Sequence, residues 1–355
     1  MKIFIVADIH GNAEILKAAL AESGFDPNNP NHLLIACGDQ GDRGAQSKEV
    51  YDYLDSIRNK VIIRGNHEEM LMEAIERGYI RVDDVYNGTQ VTIEDLVGQG
   101  CIDSRGKIHI SDYRKKQILD CLSQTVDYYE TQNYVFVHGW IPEENYFTGD
   151  WRNATAAEWS DARWVGWTEM HNKFSAAGKI IVCGHSASKY AAAFDSSRAA
   201  DDYSPYFGKN FIAIDSNTVK SQIINVLVLE DELLPVQKHS MKLKRAFFDK
   251  IVRGSKTVEM RLFDEKRKRI KAGDVITFTA DDDSGDTVDA KVLGIHVYPS
   301  FETLTDDFDT RSLGFERRKA DFVCEYMKRF YDDDSVRREG VAAIRIQKIK
   351  QKETV

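Results

Sequence analysis

Five short apolar runs in this chain end in the same way, and that repetition limits the fold more than any other feature. "KIFIVA" leads into "DIHG", "HLLIAC" into "GDQGDRG", "KVII" into "RGNHE", "YVFV" into "HG" and "KIIVC" into "GHS". Runs of this length suit buried strands better than helices. Helical patterns at 12–22, near 46–57 and near 67–77 follow the first three. Strands alternating with helices imply βαβ units, a largely parallel sheet and an α/β fold. In open α/β sheets, ligands gather at the carboxyl ends of strands. Asp8, His10, Asp39, Asn66, His67, His138 and His185 all stand there, so they can converge although they are far apart in sequence.

Oxygen ligands mixed with imidazoles suit Mn²⁺, Fe or Zn²⁺ better than Ca²⁺. So many ligands exceed the needs of one ion and suit two, with one carboxylate bridging. Two ions about 3.5–4 Å apart can clamp a phosphate, generate hydroxide near neutral pH and stabilise an in-line displacement. Arg43 and Arg64 each stand beside a ligand residue, and a guanidinium grips phosphate oxygens in a bidentate fork. A lone Gly-Asp or Gly-Asn is an ordinary turn. Five such junctions in succession point to a site.

The chain has 355 residues and is 42% hydrophobic, enough for two domains with real cores. No apolar run is long enough to span a membrane. Asp8 and His10 interrupt the N-terminal apolar stretch too early for a signal peptide. Cys37, Cys101, Cys121, Cys183 and Cys324 form no CxxC pair and read as reduced thiols of a cytoplasmic protein. Residues 1–237 hold 22 Lys and Arg against 35 Asp and Glu, and residues 238–355 hold 26 against 22. This asymmetry suggests two units with different partners. The polar stretch 84–132 reads as a helical insertion or cap. Later strand candidates are "YVFVHG", "KIIVCGH", "NFIAID" and "INVLVLED". The division expected is a first domain at 1–232, a linker at 233–240 and a second domain at 241–355. Strand candidates "DVITFTA", "AKVLGIHVY" and "VAAIRIQKI" make the second domain mostly β or α+β. "KRKRIK" and "DDDSGD" read as solvated loops.

The series "DIHG … GDQGDRG … RGNHE … HG … GHS" closely resembles the calcineurin-like metallophosphoesterases. Among them it is most similar to the phosphoprotein phosphatase superfamily, with its GDxHG, GDxxDRG, GNHE, HGG and GHT pattern. The resemblance covers roughly residues 1–230 and implies an α-β-β-α sandwich. It implies that Asp8 and His10 hold one metal ion, that Asp39 bridges, and that Asn66, His138 and His185 hold the second. It further implies that His67 protonates the leaving-group oxygen, that Asp42 orients His67, and that Arg43 and Arg64 bind phosphate. The implied activity is serine/threonine-phosphatase-like hydrolysis of phosphate monoesters with two divalent ions, Mn²⁺ foremost. Ala7, Trp140 and Ser186 depart from the pattern, but all the ligands are retained. Trp140 changes the pocket wall.

All five tryptophans (Trp140, Trp151, Trp159, Trp164 and Trp167) fall within residues 140–167. They read either as an aromatic core or, through Trp140, as a stacking face for a nucleobase, worth about 1–3 kcal/mol per base. Arg152 and Arg163 lie in the same segment as candidate phosphate contacts. Further on, Gly254, Lys256, Glu259 and Arg261 form a GxKxxExR pattern followed by "IKAGDVITF", which resembles the ASCH family. That resemblance implies a small PUA-like β-barrel with an RNA or nucleotide cleft at Lys256, Glu259 and Arg261. Some relatives are amidohydrolases that use a Lys with a nearby Thr and Glu. The plainer reading of the three charges is a surface ion-pair cluster. The leading function is therefore a two-metal phosphoesterase that removes phosphate from monoesters, those on a phosphorylated protein included. The alternatives are a nucleotide or RNA-end phosphatase or dinucleoside polyphosphate hydrolase, and a non-enzymatic RNA-binding module on a metal-bound scaffold. The full ligand set argues against the last.

Overall fold

The computed structural model describes every residue except 146, 171, 173–177, 317 and 350–355, so the last residues of the region expected at 241–355 lie outside it. The chain forms two compact units. The N-terminal unit is Met1–Ile141 with Ser160–Leu234, and the C-terminal unit is Pro142–Trp159 with Pro235–Val355.

The described strands of the N-terminal unit are β1 (Lys2–Val6), β2 (His32–Cys37), β3 (Lys60–Ile63), β4 (Tyr129–Glu130), β5 (Tyr134–Phe136), β6 (Ile180–Cys183), β7 (Tyr206–Phe207), β8 (Phe211–Ala213) and β9 (Leu227–Glu230). One sheet has the order β3-β2-β1-β9 and the other β4-β5-β6-β8-β7. Pairing is parallel through β1-β2-β3 and β5-β6-β8, with antiparallel strands at the edges. The continuous apolar reading of β1 follows from burial on both faces. Ile3 and Ile5 meet Phe136, Val182 and Ile212 of the second sheet. Phe4 and Val6 meet Leu16 and Leu20 of helix α1 (Ala13–Glu22) and Val50 and Leu54 of helix α2 (Ser47–Ser56). The core thus lies between two sheets with helices outside, an α-β-β-α sandwich.

Helix α3 (Asn66–Arg77) follows β3, and the stretch expected as a helical cap contains α4 (Val82–Asn87), α5 (Thr89–Val97) and α6 (Asp112–Leu122). Leu71, Ile75, Ile93, Ile118 and Leu122 give α3, α5 and α6 their own small core.

The C-terminal unit carries β10 (Lys238–Leu243), β11 (Val258–Leu262), β12 (Val275–Ala280), β13 (Thr287–Tyr298) and β14 (Val341–Lys348). They form one curled half-barrel sheet of order β10-β12-β13-β14-β11. Two details differ from the division read in the sequence. Strand β10 starts at Lys238, inside the stretch expected to be linker. Residues 142–159 group with the C-terminal unit, where Asn145 donates to the Val297 carbonyl (3.1 Å), His296 to that of Ala154 (2.8 Å), and the Ala156 amide to the Tyr298 hydroxyl (2.9 Å). These bonds span well over a hundred residues, so no local pattern announces them.

Candidate functional site

The loops after β1, β2 and β6 are strained at the residues that matter. Asp8, His10, Asp39, Asp42, Arg43 and His185 have φ of 51°, 47°, 57°, 65°, 65° and 61°. Left-handed backbone costs a residue with a Cβ on the order of 1–3 kcal/mol, and such strain clusters at functional sites. Here it turns the side chains inward. One ligand atom each from His10, Asp39 and His67 lies within 4.8 Å of the others, and so do those of Asp39, His138 and His185. Asp39 belongs to both groups. Its Oδ1 is 3.3 Å from His138 Nε2, and its Oδ2 is 3.8 Å from His10 Nε2 and 3.7 Å from His67 Nε2.

Hydrogen bonding on the far side of each ring separates the imidazoles by role. His10 and His138 donate Nδ1–H to the carbonyls of Gly41 (3.0 Å) and Cys37 (2.9 Å), and His185 donates Nε2–H to that of Trp164 (3.1 Å). A carbonyl can only accept, so the other nitrogen of each ring carries a lone pair facing the cluster. This is the usual outer support of a metal-ligating histidine. Asn66 Oδ1 stands 2.8 Å from His138 Nε2 and 3.1 Å from His185 Nδ1. Lone pairs gathered in this way suit a cation, so the donor set fits divalent metal ions. His67 differs. Its Nδ1 meets the Asp42 carboxylate at 2.7 Å, and Thr89 donates to the same Asp42 oxygen at 2.7 Å.

Burial pushes His10 down to about 3 and His185 to about 4, and lowers His138 as well. All three are neutral near pH 7, as metal ligation requires. Burial alone would raise Asp39, but His138, His67, His10 and His185 around it hold it below the usual carboxylate range. Burial also lowers His67, yet Asp39 and Asp42 outweigh it and leave that ring above the ordinary histidine value. Asp8 is raised well above a normal carboxylate by burial and by Asp215 and Asp39. Its carboxylate accepts the His185 amide at 3.0 Å and lies outside both three-residue groups of Asp39.

Arg43 bridges His10 Nε2 (3.0 Å) and His67 Nε2 (3.1 Å) with its two terminal nitrogens. Arg64 donates to Thr125 Oγ1 at 2.9 Å. Three expectations need correction. Trp140 is 2% exposed and packs edge-on against Phe211, so it offers no stacking face. Arg163 is buried between Glu69 and Asp127, which consume its charge. Arg152 belongs to the C-terminal unit, pairs with Asp150 at 2.9 Å and lies over the Trp151 ring. The exposed indole beside the site is Trp164, whose ring centre is 6.2 Å from that of His185.

Glu68 carries a part that the sequence reading did not assign. Its carboxylate accepts the amides of Asp39 (2.9 Å), Gln40 (2.9 Å) and Gly65 (2.8 Å). It thereby ties the strained loop after β2 to the start of α3. A Cβ at Gly65 would collide with the Asp39 carboxylate, so this approach needs glycine. The available signal was Glu68 at the third position of α3, where a capping carboxylate is common. Thr89 and Thr92 were also missed, and Thr92 Oγ1 accepts the Asp42 amide at 2.6 Å.

In the C-terminal unit, Lys256, Glu259 and Arg261 line a cleft of about 230 Å³ with Lys242, Lys244, Phe247, Tyr326 and Phe330. Lys256 is buried, and all three ammonium hydrogens have acceptors: Val258 O at 2.6 Å, Leu313 O at 2.9 Å and Glu259 Oε2 at 3.2 Å. Glu259 Oε1 takes Arg261 at 2.9 Å. The cluster is therefore not a surface one, because Lys256 and Glu259 are 4% and 3% exposed.

A family model described as calcineurin-like phosphoesterase matches residues 1–219, and one described as ASCH domain matches residues 241–350. The chain is 25% identical over 195 residues to serine/threonine-protein phosphatase 2 of Salmonella typhimurium strain LT2, across 54% of this chain and 83% of that one. It is 40% identical over 76 residues to serine/threonine-protein phosphatase 2 of Escherichia coli strain K12, across 21% of this chain and 34% of that one. It is 38% identical over 69 residues to the symmetrical bis(5'-nucleosyl)-tetraphosphatase of Buchnera aphidicola subsp. Acyrthosiphon pisum, across 19% of this chain and 24% of that one. The chain thus spans about a third and a quarter of the last two relatives.

Proposed function

Since the chain belongs to the calcineurin-like phosphoesterase family, with an ASCH domain at its C-terminal end, and is a phosphoric ester hydrolase, we propose that it removes phosphate from monoesters on proteins. The observation that carries this reading is the contrast among the imidazoles. Three are fastened to carbonyls with a lone pair facing Asp39 or Asn66, and one is fastened to a carboxylate. The family implies a dinuclear divalent site, and we assign Mn²⁺ to it, with Fe or Zn²⁺ as substitutes. Asp8 and His10 are assigned to one ion, Asn66, His138 and His185 to the other, and Asp39 to both. When bound, the ions supply Lewis acidity toward the phosphoryl group and a nucleophile at neutral pH. Arg43 and Arg64 orient the phosphate. His67, oriented by Asp42 and with its pKa raised by Asp39 and Asp42, gives a proton to the leaving oxygen.

Relatives named both as protein phosphatases and as a dinucleoside tetraphosphatase leave two substrate classes in view. The burial of Trp140 favours the first, since it removes the stacking face on which the nucleotide reading leaned. For the C-terminal cleft, the aromatic rings beside Lys242, Lys244 and Arg261 support a nucleotide or RNA end as ligand. Five unpaired cysteines support a reducing, cytoplasmic location. Among the described residues no helix is long and apolar enough to cross a membrane.

His67→Gln tests the central role. We expect kcat to fall by about 10²–10⁴-fold with metal content retained. The loss should be smaller for p-nitrophenyl phosphate, whose leaving group needs no proton, than for an alkyl phosphate. Equal losses on the two substrates would remove His67 as the acid.

A further inference from the structure

Helix α4 turns its apolar side outward. Val82, Val85 and Tyr86 stand at i, i+3 and i+4, on one helix face. They are 84%, 49% and 89% exposed, while the buried residue of α4 is Asp84, paired with Arg77. This reverses the usual pattern of a surface helix.

The C-terminal end of this helix adjoins the site. α4 ends at Gly88, with φ of 87°, and a Cβ there would come within 2.5 Å of the Arg43 amide nitrogen. Tyr86 lies two residues earlier, at most about 7 Å of chain. Arg43 in turn touches His10 and His67. At the other end of the cluster, beside His185, stands the exposed indole of Trp164. The helix that carries the apolar stripe thus meets the site on the Arg43 side, and the exposed indole stands on the His185 side.

We propose that these two walls bind apolar side chains of a protein substrate on either side of its phosphorylated residue, an inference that rests on the phosphomonoesterase reading above. Charge and chemistry select this occupant. Residues 1–237 carry 22 basic against 35 acidic residues, a net of −13 that repels a polyanion. A polyphosphate chain would need cations beyond Arg43 and Arg64, yet Arg163 is spent on Glu69 and Asp127. Valines have no π-face for a base, whereas an aliphatic or aromatic side chain gains by burial against valine, tyrosine and indole alike.

The test is steady-state kinetics of the full-length protein with Mn²⁺ on p-nitrophenyl phosphate and two phosphoserine peptides. One peptide carries Leu on both sides of the phosphoserine and the other carries Ser. The Leu peptide should show a KM about tenfold lower. Val82→Ser with Tyr86→Ala should abolish that advantage and leave p-nitrophenyl phosphate unchanged, and Trp164→Ala should reduce it. Equal KM values for the two peptides, or an advantage that survives the double substitution, would overturn the proposal. So would a KM for diadenosine tetraphosphate that rises in Tyr86→Ala and Trp164→Ala while both peptides stay put, because the walls would then hold bases. Turnover of p-nitrophenyl phosphate without peptide selectivity sinks this inference alone. No turnover of any of these substrates by metal-loaded protein removes the phosphomonoesterase reading as well.

Discussion

The two units each bury a cluster of charged side chains, and they treat it in opposite ways. In the C-terminal unit the cluster is internally satisfied. Lys256 gives three hydrogens to three acceptors, and both oxygens of Glu259 are paired. In the N-terminal unit the groups are left facing one another. Imidazole rings that donate one N–H to a carbonyl turn the lone pair of the other nitrogen toward Asp39 and Asn66, and six of the loop residues sit in left-handed backbone. Satisfied polar groups rigidify a fold, while groups held against their own repulsion await something else. The contrast separates a structural charge cluster from one poised for a cation. It also argues against an amidohydrolase role for Lys256, whose nitrogen is engaged by three acceptors although burial lowers its pKa.

The contrast predicts crossed effects. The largest should come from Asp39→Asn, which takes the shared carboxylate from both ligand groups. Metal affinity should drop by more than about 100-fold, the loss seen for mere supporting residues. The metal-free protein should melt no lower than the original. Elemental analysis and calorimetry together check this, and a destabilised protein that still holds two ions would erase the distinction between the clusters.

Lys256→Met should do the reverse. It leaves Glu259 buried without its main partner and should cost about 3–5 kcal/mol in denaturant unfolding of the C-terminal unit. Phosphatase activity under folding conditions should persist. Adding Glu259→Gln should recover part of the loss, because the stranded charge is then gone.

The smallest effect should be a shift in pH profile. His67 acts as an acid only while protonated. Burial lowers its pKa, but Asp39 and Asp42 raise it further. Activity is therefore held below that pKa and lost as pH rises through it. Asp42→Asn removes one raising influence, so the alkaline limb of kcat/KM should move to lower pH, by about one unit for the change of one hydrogen-bonded charge. An unmoved limb would detach His67 from it.

What could be read from residues alone was whatever depends on order along the chain. Apolar runs of strand length, each followed by glycine and a ligand side chain, already specified an α/β sheet and the place where Asp8, His10, Asp39, Asn66, His67, His138 and His185 would emerge, because a strand end is a local event. The helical nature of 84–132 and the strands of the second unit were legible for the same reason. Partnership was not. Trp140 and Trp164 read alike in sequence, and only packing made one a core residue against Phe211 and the other an exposed wall beside His185. Arg163 looked free until Glu69 and Asp127, far away in sequence, closed on it. Segment 142–159 joined the C-terminal unit through bonds to Val297, His296 and Tyr298 that no periodicity encodes. Side-chain type and strand register are written locally. The neighbour that neutralises, buries or exposes a side chain is chosen by contacts between distant parts of the chain, and those exist only once it has folded.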